Sequence, residues 1–271
     1  MLLSAVILSF DSVGHVGTAV RSLAAECARL DAPCEVIVVD NGSRDGSVAL
    51  LRRLEAEFPS LLRVIRLPVN LGTTVSRNMA LARARGRFVL VMDSDVEVPA
   101  GCLGALLQRL AASPRTGILA PRLVHRDGRP QLSADMFPTL TRKLARFFGL
   151  RRMEAGLPGQ AHGPRRVDYA ISAFWLMPRE VLLRVGPLDE RIFYSPEDVD
   201  YCLRTWAAGY EVVLDDAVVA IHDAREVSRG LRNPRFLASH ALGLAYLFLK
   251  HRYVFGRARL YRRLGMAGHG A

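Results

Sequence analysis

Several features that define other classes of protein are scarce or absent in this sequence of 271 residues. Its four cysteines form no C-x-x-C pair, which excludes a thiol redox motif or a cysteine-ligated zinc site and predicts buried free thiols in a reducing compartment. Lysine occurs only at Lys143 and Lys250, so arginine carries nearly all the positive charge behind a formal net charge of +11. The first residues, MLLSAVILSF, lack the basic start and cleavage site of a signal peptide. These absences favour a globular protein of the cytoplasm.

No apolar run is long enough for a membrane-spanning helix. The strongest one, residues 241–249, is half as long as the ~18 residues that such a helix needs. It belongs to a predicted helix that begins at Pro234, with Asn233 as its cap. The basic tail that follows contains Arg252, Arg257, Arg259, Arg262 and Arg263. Residues 231–271 are therefore predicted to form a helix and a basic tail, which either packs on the core or makes peripheral contact with an anionic membrane.

Apolar residues make up 50% of the chain, which is enough for a substantial core. Short β-branched runs alternate with segments of helical period in the first half. The predicted strands are residues 3–10, 34–40, 61–67 and 87–93, and the predicted helices are residues 16–30, 45–57 and 74–85. This alternation predicts an α/β fold, a mostly parallel sheet covered by helices on both faces. Sheets of this type bind ligands beyond the carboxyl ends of their strands.

The second half of the sequence is less regular. Residues 143–166 mix arginine, glycine and proline, and predict a basic loop after a short helix. Strand character returns over residues 167–178, and residues 210–222 are predicted to form a pair of strands that ends at His222. Between these strands, EDVDYCLRTWA has the period of a helix that stops at Gly209.

Aspartates directly follow two of the predicted strands. Asp40 ends CEVIVVD, and Asp93 and Asp95 end FVLVMDSD. These side chains either form turns, because aspartate readily accepts hydrogen bonds from its own backbone, or they serve a ligand. In the second case, two carboxylates separated by one residue suit a divalent cation that neutralises a diphosphate. Asp40 would then lie where such a sheet recognises a base or a ribose.

The stretch SPEDVD also has two interpretations. Ser195 and Pro196 have the residue types of a helix cap and a first helical position, and Glu197 and Asp198 suit the positive end of a helix dipole. Helix formation alone thus accounts for both acids, and no catalytic role is needed to explain them. The other interpretation, a catalytic role, rests on the family resemblance given below, and the two can coexist because a helix start favours the charged form of a carboxylate.

The order of the motifs points to one of these interpretations. VVDNGSRDGS, then NLGTTVSRNMALARARGRFVLVMDSDVEV, then GPLDERIFYSPEDVDYCLRTWAAGYEVVLDDAVVAIH resemble the successive signatures of the inverting family 2 glycosyltransferases, in particular bacterial rhamnosyltransferase-like members. The resemblance extends over about residues 3–250 and implies a GT-A fold, a Rossmann-like nucleotide-binding sheet. It also implies one domain over residues 1–230, with a donor half at about 1–122 and an acceptor half at about 123–230.

The resemblance implies roles for the polar residues of these motifs. The nucleotide-sugar would contact Ser9, Asp11, Asp40, Asn41, Asn70, Arg77, Asp93 and Ser94. Asp40 would bind the base, and Arg77, placed at a helix start, would suit an anion. Asp95 and His222 would hold Mg²⁺ or Mn²⁺. Where the family often has Thr-Tyr-Asn, this chain has SFDS, so Asp11 replaces an asparagine and both UDP and dTDP stay open.

The resemblance also implies the catalytic residues. Asp198 would be the base that deprotonates the acceptor hydroxyl, and Glu197 would shape the acceptor pocket beside it. A positioned base contributes on the order of 10²- to 10⁴-fold to rate. A single displacement inverts the sugar carbon, so one base suffices.

We therefore expect a metal-dependent, inverting transferase that moves a sugar, L-rhamnose from dTDP-rhamnose, to a glycan or lipid-linked glycan hydroxyl. It would lie in the cytoplasm or peripherally on the inner face of the membrane. The alternatives are transfer of another UDP- or dTDP-sugar, a sugar-phosphate nucleotidyltransferase, and a non-catalytic nucleotide-sugar-binding module. The nucleotidyltransferase would need a glycine-rich phosphate loop, for which SFDSVGHVGTAVRSL offers only Gly14 and Gly17. Nucleic acid is not an expected partner, because no aromatic cluster accompanies the scattered arginines.

Overall fold

A computed structural model of the protein describes residues 1–143, 149, 163–223 and 234–266. The strands are β1 (Leu3–Ser9), β2 (Cys34–Asp40), β3 (Leu62–Arg66), β4 (Phe88–Asp93), β5 (Val96–Glu97), β6 (Thr116–Val124), β7 (Ala134–Asp135), β8 (Pro164–Arg166), β9 (Tyr169–Ala170), β10 (Phe174–Pro178) and β11 (Glu211–His222). The main helices are α1 (Val16–Arg29), α2 (Ser47–Glu57), α3 (Thr73–Leu81), α4 (Cys102–Ala111), α5 (Arg179–Val185), α6 (Glu197–Ala207), α7 (Pro234–His251) and α8 (Ala258–Arg263). Most of the predicted loop at 143–166, and the predicted cap Asn233, lie outside the described residues.

The large sheet has the strand order β3-β2-β1-β4-β10-β6-β11-β5, and β8 pairs with β11. β1 is parallel to β2 and β4, and β2 is parallel to β3, as the alternation of strands and helices predicts. β10 is antiparallel to β4 and β6, whereas β11 is parallel to β6. The α/β fold with a mostly parallel sheet is thus confirmed, with β10 as an antiparallel strand in its middle.

Apolar cores cover both faces of the sheet. Within β1, Ile7 packs into one core with Leu23 of α1, and the neighbouring Val6 packs into the other with Trp206 of α6. Successive residues of a strand point to opposite faces, so both must be apolar when helices cover both faces. This is why the predicted strands are continuous apolar runs. All four cysteines are free thiols, and three of them are buried.

Three local predictions are wrong. α6 begins at Glu197 with Pro196 as its N-cap and has no side-chain cap, so Ser195 does not cap it. Arg77 lies inside α3, which begins at Thr73, rather than at a helix start. Residues 211–222 form one strand, because β11 stays paired with β6 through a shift of register and the chain does not turn back.

The register of the strands brings polar residues to one edge of the sheet. Ser9 lies beside Asp40, and Leu8 lies beside Asp93. The last residue of β11, His222, pairs with Val96 in β5, directly after Asp-Ser-Asp. The carboxyl ends of β1, β2, β4 and β11 therefore border one site.

The C-terminal helices pack by one face. Leu247 and Phe248 of α7 and Leu260 of α8 belong to the core, whereas Leu242 and Leu249 of α7 are exposed. In the part of the chain that the structure describes, no helix has the length and apolarity needed to cross a bilayer.

Candidate active site

Three potential metal ligands meet at the carboxyl edge of the sheet: Asp93, Asp95 and His222. One ligand atom of each lies within 4.8 Å of those of the other two. Nε2 of His222 is 3.4 Å from Oδ1 of Asp95. Two carboxylates and an imidazole form a donor set that fits Mn²⁺ or Mg²⁺ and leaves coordination positions for phosphate oxygens.

The two carboxyls of this cluster differ electrostatically. Burial acts to raise the pKa of both. At Asp95 the hydrogen bond and charge of His222 outweigh burial, and the pKa is lowered. At Asp93 burial outweighs the charge of Arg77, and the pKa is raised. A divalent cation would favour the ionised form of both groups, so the cluster is suited to hold one.

Arg77 connects this cluster to the start of α6. Its guanidinium is buried and pairs with Asp93. Nη1 also lies 2.8 Å from Oγ of Ser172 and 3.4 Å from Oε1 of Glu197. Ser172 Oγ in turn donates to Glu197 at 2.9 Å. Arg77 therefore compensates carboxylates on both sides of the site.

The two adjacent acids at the start of α6 have different surroundings. Glu197 is buried, and burial together with the charge of Asp198 raises the pKa of Glu197 to about 8. Asp198 is half-buried in the first helical turn and accepts the backbone N–H of Val199 at 2.8 Å. Asp198 is thus the more accessible carboxylate of the pair, and the helix dipole favours its charged form.

Two neighbouring polar atoms at the ends of β1 and β2 are buried without a hydrogen-bond partner among the described residues: Ser9 Oγ and Asp40 Oδ1. Asp40 Oδ2 accepts the Ser43 N–H at 3.3 Å, so one oxygen of this carboxylate is used by the turn and the other is not. A buried acceptor left unpaired costs about 1–3 kcal/mol, so a ligand that offers a donor group here would remove this cost.

Asp11 and Ser94 lie in loops that border the same edge. Asp11 accepts the Arg44 N–H at 2.7 Å, which ties the loop after β1 to the loop after β2. Ser94 Oγ and Ser12 Oγ share a hydrogen bond of 2.7 Å, which ties the loop after β4 to the loop after β1. Both residues thus hold together the rim of the site.

Asn41 and Asn70 organise the loop before α3. Asn41 Nδ2 donates to Asn70 Oδ1 at 3.0 Å, and Asn41 Oδ1 accepts the Leu71 N–H at 2.9 Å. Gly72 in this loop has φ +87°, and a Cβ there would lie 2.4 Å from the Phe193 carbonyl oxygen. The loop therefore packs against the segment that leads into α6, and the asparagine side chains hold its shape.

Ser172 and Gln131 belong to the site without any motif that predicts them. Ser172 joins Arg77 to Glu197, and Gln131 contacts His222 through both atoms of its amide. The only local signal is a polar residue beside apolar core residues in YAISAF and RPQLS. Spacing along the sequence carries no information about such distant contacts.

A mostly parallel sheet with acids at the ends of β2 and β4, facing an acidic helix start, is the arrangement of GT-A glycosyltransferases. The family model described as Glycosyl transferase family 2 matches residues 4–186. The chain therefore belongs to glycosyltransferase family 2, and it is a glycosyltransferase.

One curated relative and two solved structures define this similarity further. The chain is 30% identical over 253 residues to the N-acetylglucosaminyl-diphospho-decaprenol L-rhamnosyltransferase of Mycobacterium tuberculosis, covering 86% of this chain and 80% of that protein. It aligns with GalNAc-T7, solved with UDP, GalNAc and Mn²⁺, at a TM-score of 0.65 and 16% identity, over 86% of this chain and 45% of that one. It aligns with S. aureus TarS, in complex with UDP-GlcNAc, at a TM-score of 0.60 and 20% identity, over 98% of this chain and 71% of that one. At these identities the two structures establish the fold.

Proposed function

We propose that the protein is an inverting, metal-dependent glycosyltransferase that moves L-rhamnose from dTDP-rhamnose to a hydroxyl group of a glycan or lipid-linked glycan. The observation that carries this proposal is the series of contacts from Asp93 through Arg77 to Glu197, next to Asp198. It joins a metal-binding cluster on the donor side to a candidate base on the acceptor side. The choice of rhamnose and of a lipid-linked acceptor is supported by the name of the mycobacterial relative.

The unpaired atoms at the ends of β1 and β2 support binding of a nucleotide base that offers an N–H donor. Asp40 Oδ1 is a buried acceptor that needs an N–H donor. Uracil and thymine both offer one at N3, so this contact fits UDP and dTDP equally. In the proposal Asp40 reads the base, while Ser9, Asp11 and Ser94 line the nucleotide side of the site.

Asp95 and His222, with Asp93, are the residues that would hold Mg²⁺ or Mn²⁺. When bound, the ion supplies Lewis-acid stabilisation of the departing diphosphate. The buried guanidinium of Arg77 adds fixed positive charge behind Asp93. These residues therefore favour the leaving group without any proton transfer.

Asp198 supplies the other half of the chemistry. It takes the proton of the acceptor hydroxyl while that oxygen forms a bond to the anomeric carbon, and the bond from that carbon to the diphosphate oxygen breaks. The displacement inverts the configuration of the anomeric carbon. Glu197 is less suited to this role although its pKa is raised, because its Oε1 is occupied by Ser172 and Arg77. Glu197 instead fixes the start of α6 and shapes the acceptor pocket.

The proposal includes peripheral contact of the C-terminal helix with the cytoplasmic face of an anionic membrane, where a lipid-linked acceptor would lie. One face of α7 is exposed along Ala238, Ala241, Leu242, Ala245 and Leu249. Exposed helix faces are normally polar, so this apolar stripe is unusual. It leads directly to exposed arginines, and the combination suits the headgroup region of anionic lipids. In this arrangement residues 1–122 bind the donor and residues 123–230 the acceptor.

A panel of sugar nucleotides tests the donor assignment. We expect dTDP-rhamnose with Mn²⁺ to raise the melting temperature more than UDP-GlcNAc or GDP-mannose does, because a ligand of the folded state stabilises it by mass action. Asp40→Asn should weaken this stabilisation, and Asp127→Asn, at an exposed site, should not. A preference for another UDP- or dTDP-sugar would change the donor. Stabilisation by a free nucleoside triphosphate with a sugar phosphate would favour a nucleotidyltransferase, and donor binding without turnover would favour a binding module.

A further inference from the structure

A buried glutamine holds the His222 side chain. Gln131 Oε1 lies 2.8 Å from Nδ1 of His222, and its Nε2 donates to the backbone carbonyl of the same residue at 2.6 Å. Nε2 also lies 2.9 Å from Nδ1 of His125. Gln131 is 3% exposed, so its amide forms its hydrogen bonds with the protein rather than with solvent.

These contacts fix the orientation of the amide. A backbone carbonyl only accepts hydrogen bonds, so the amide atom that faces it must be the NH₂ group. The flipped amide would place two oxygens 2.6 Å apart. Oε1 of Gln131 therefore faces Nδ1 of His222. Because a carbonyl oxygen cannot donate, that ring nitrogen must carry the proton.

The opposite nitrogen of the His222 ring faces the metal cluster. Nε2 is the atom that lies 3.4 Å from Oδ1 of Asp95. In a neutral imidazole one nitrogen carries the proton, and a nearby carboxylate acting alone would draw it to Nε2. A proton there would block coordination, since a metal binds the unprotonated nitrogen.

We propose that Gln131 is a positioning residue that locks His222 in the tautomer with its proton on Nδ1, so that the lone pair of Nε2 is directed at the metal-binding cluster. This inference rests on the proposed metal site. The backbone carbonyl of His222 orients the amide, the amide selects the tautomer, and the tautomer presents the ligand atom. Hydrogen bonds behind metal ligands affect affinity in this way in other metal sites.

Mn²⁺ binding tests the proposed role of Gln131 without an assay of sugar transfer. Mn²⁺ is titrated at a fixed UDP concentration into wild type, Gln131→Leu and Ser133→Ala. The concentration of free Mn²⁺ is followed by its electron paramagnetic resonance signal. Ser133 is the matched control, because it is a buried polar residue of the same segment that bonds the Leu123 N–H and the Gln131 carbonyl but not His222. We expect Gln131→Leu to weaken Mn²⁺ binding about 10- to 100-fold and Ser133→Ala to leave it within about threefold of wild type. Wild-type Mn²⁺ affinity in folded Gln131→Leu would overturn the proposal.

Nitrogen NMR of the histidine rings gives a second readout, which a merely structural role would not move. In metal-free wild type, at a pH where the His222 ring is neutral, we expect its proton on Nδ1, and in Gln131→Leu a shift of that proton toward Nε2. A neutral His222 ring that carries its proton on Nε2 in wild type would overturn the lock, and this measurement decides the matter even if Gln131→Leu fails to fold. If wild type shows the Nδ1 proton but binds no Mn²⁺, the proposed metal site is wrong. Gln131 then sets the tautomer of His222 but has no part in metal binding.

Discussion

Asp198 and Glu197 are adjacent acids with different degrees of burial. Glu197 is buried against Ser172 and Arg77, and its pKa is raised to about 8, so it is poorly suited to carry charge alone. Asp198 is half-buried at the positive end of α6. Its charge is favoured by the helix dipole, and its side chain is less buried than that of Glu197. We therefore propose that Asp198 removes the proton of the acceptor hydroxyl.

Asp198→Asn should greatly reduce the rate of sugar transfer without affecting donor binding. We expect kcat to fall about 10²- to 10⁴-fold, because the amide cannot accept the acceptor proton. Donor binding, measured as thermal stabilisation, should stay near wild type. Glu180→Gln is the matched control, since Glu180 is an exposed acid in the first turn of α5. Turnover close to wild type in Asp198→Asn would remove this residue from the base role.

Asp95→Ala and His222→Ala should weaken the response to metal. Each removes one of the three potential ligands, so the Mn²⁺ concentration that gives half-maximal activity should rise. The measurement is a Mn²⁺ titration of the transfer rate, with Asp127→Ala as the exposed control. Titration curves identical to wild type in both variants would show that the cluster holds no catalytic ion.

Site residues could be predicted from the sequence where the pattern of strands and helices fixes their position in the fold. Asp40, Asp93 and His222 end strands, and strand ends of this fold meet at one edge. The environment of Arg77 could not be predicted, because its partner Glu197 lies 120 residues away in sequence. A motif indicates that residues serve one site, but only the contacts of the Arg77 side chain in the structure show that it faces carboxylates from both halves.

α7 is attached to the rest of the protein by charge as well as by apolar packing. Lys250 lies 2.7 Å from Asp189 and 2.6 Å from Asp200, and His251 lies 2.8 Å from Asp200. Burial acts to raise the pKa of Asp200, but His251, Arg204 and Lys250 outweigh it, and the pKa is lowered. The pKa of Asp189 is also held well below its usual range, by its bonds to Arg191, Lys250 and Tyr246, although burial opposes this.

The lowered carboxyl pKa values predict acid sensitivity of this attachment. Stability from such a group is fully present above its unfolded pKa of about 4 and is lost as pH falls toward the lower folded value. We expect the free energy of unfolding, measured in urea, to fall between pH 7 and pH 3. Asp200→Asn should lower it by about 1–3 kcal/mol at pH 7 and show a smaller fall with acid. Glu180→Gln, at an exposed acid of α5, should behave as wild type, and equal pH dependence in all three proteins would contradict the account.

The exposed face of α7 predicts lipid binding. Replacing Leu242 and Leu249 together by glutamate should reduce sedimentation with anionic vesicles, because it removes apolar contact and adds repulsion. Leu183→Glu is the matched control, at an exposed leucine of α5. Equal sedimentation of the double variant and wild type would exclude this face. Deleting residues 252–271 is a poorer test, since Tyr253, Leu260 and Met266 belong to the core.

The sequence left two interpretations of the C-terminal helix. The structure shows that one face of this helix packs on the core, and membrane contact stays a proposal. Helical period alone shows that apolar residues occupy several faces, but not which of these faces meets the protein. Leu247 and Phe248 are buried, whereas Leu242 and Leu249 are not. That distinction depends on where the helix docks, which is a property of the tertiary structure.

For the whole molecule, the fold was the most predictable part. Continuous apolar strands alternating with helices specify a sheet that is buried on both faces, and its strand ends then specify where a ligand binds. β10 was less predictable, because strand direction depends on the path of the chain rather than on local pattern. The division into donor and acceptor halves stays a prediction, although the contact of Arg77 with Glu197 crosses the proposed boundary.

The most direct test of the account is the product of a transfer reaction. Purified protein is incubated with dTDP-rhamnose, Mn²⁺ and an N-acetylglucosaminyl-diphospho-lipid, and the anomeric configuration of the new linkage is determined by NMR. We predict a rhamnosylated product whose anomeric configuration is inverted relative to the donor, formed only with metal and lost in Asp198→Asn. A product with retained configuration, or undiminished transfer after chelation of the metal, would contradict the account.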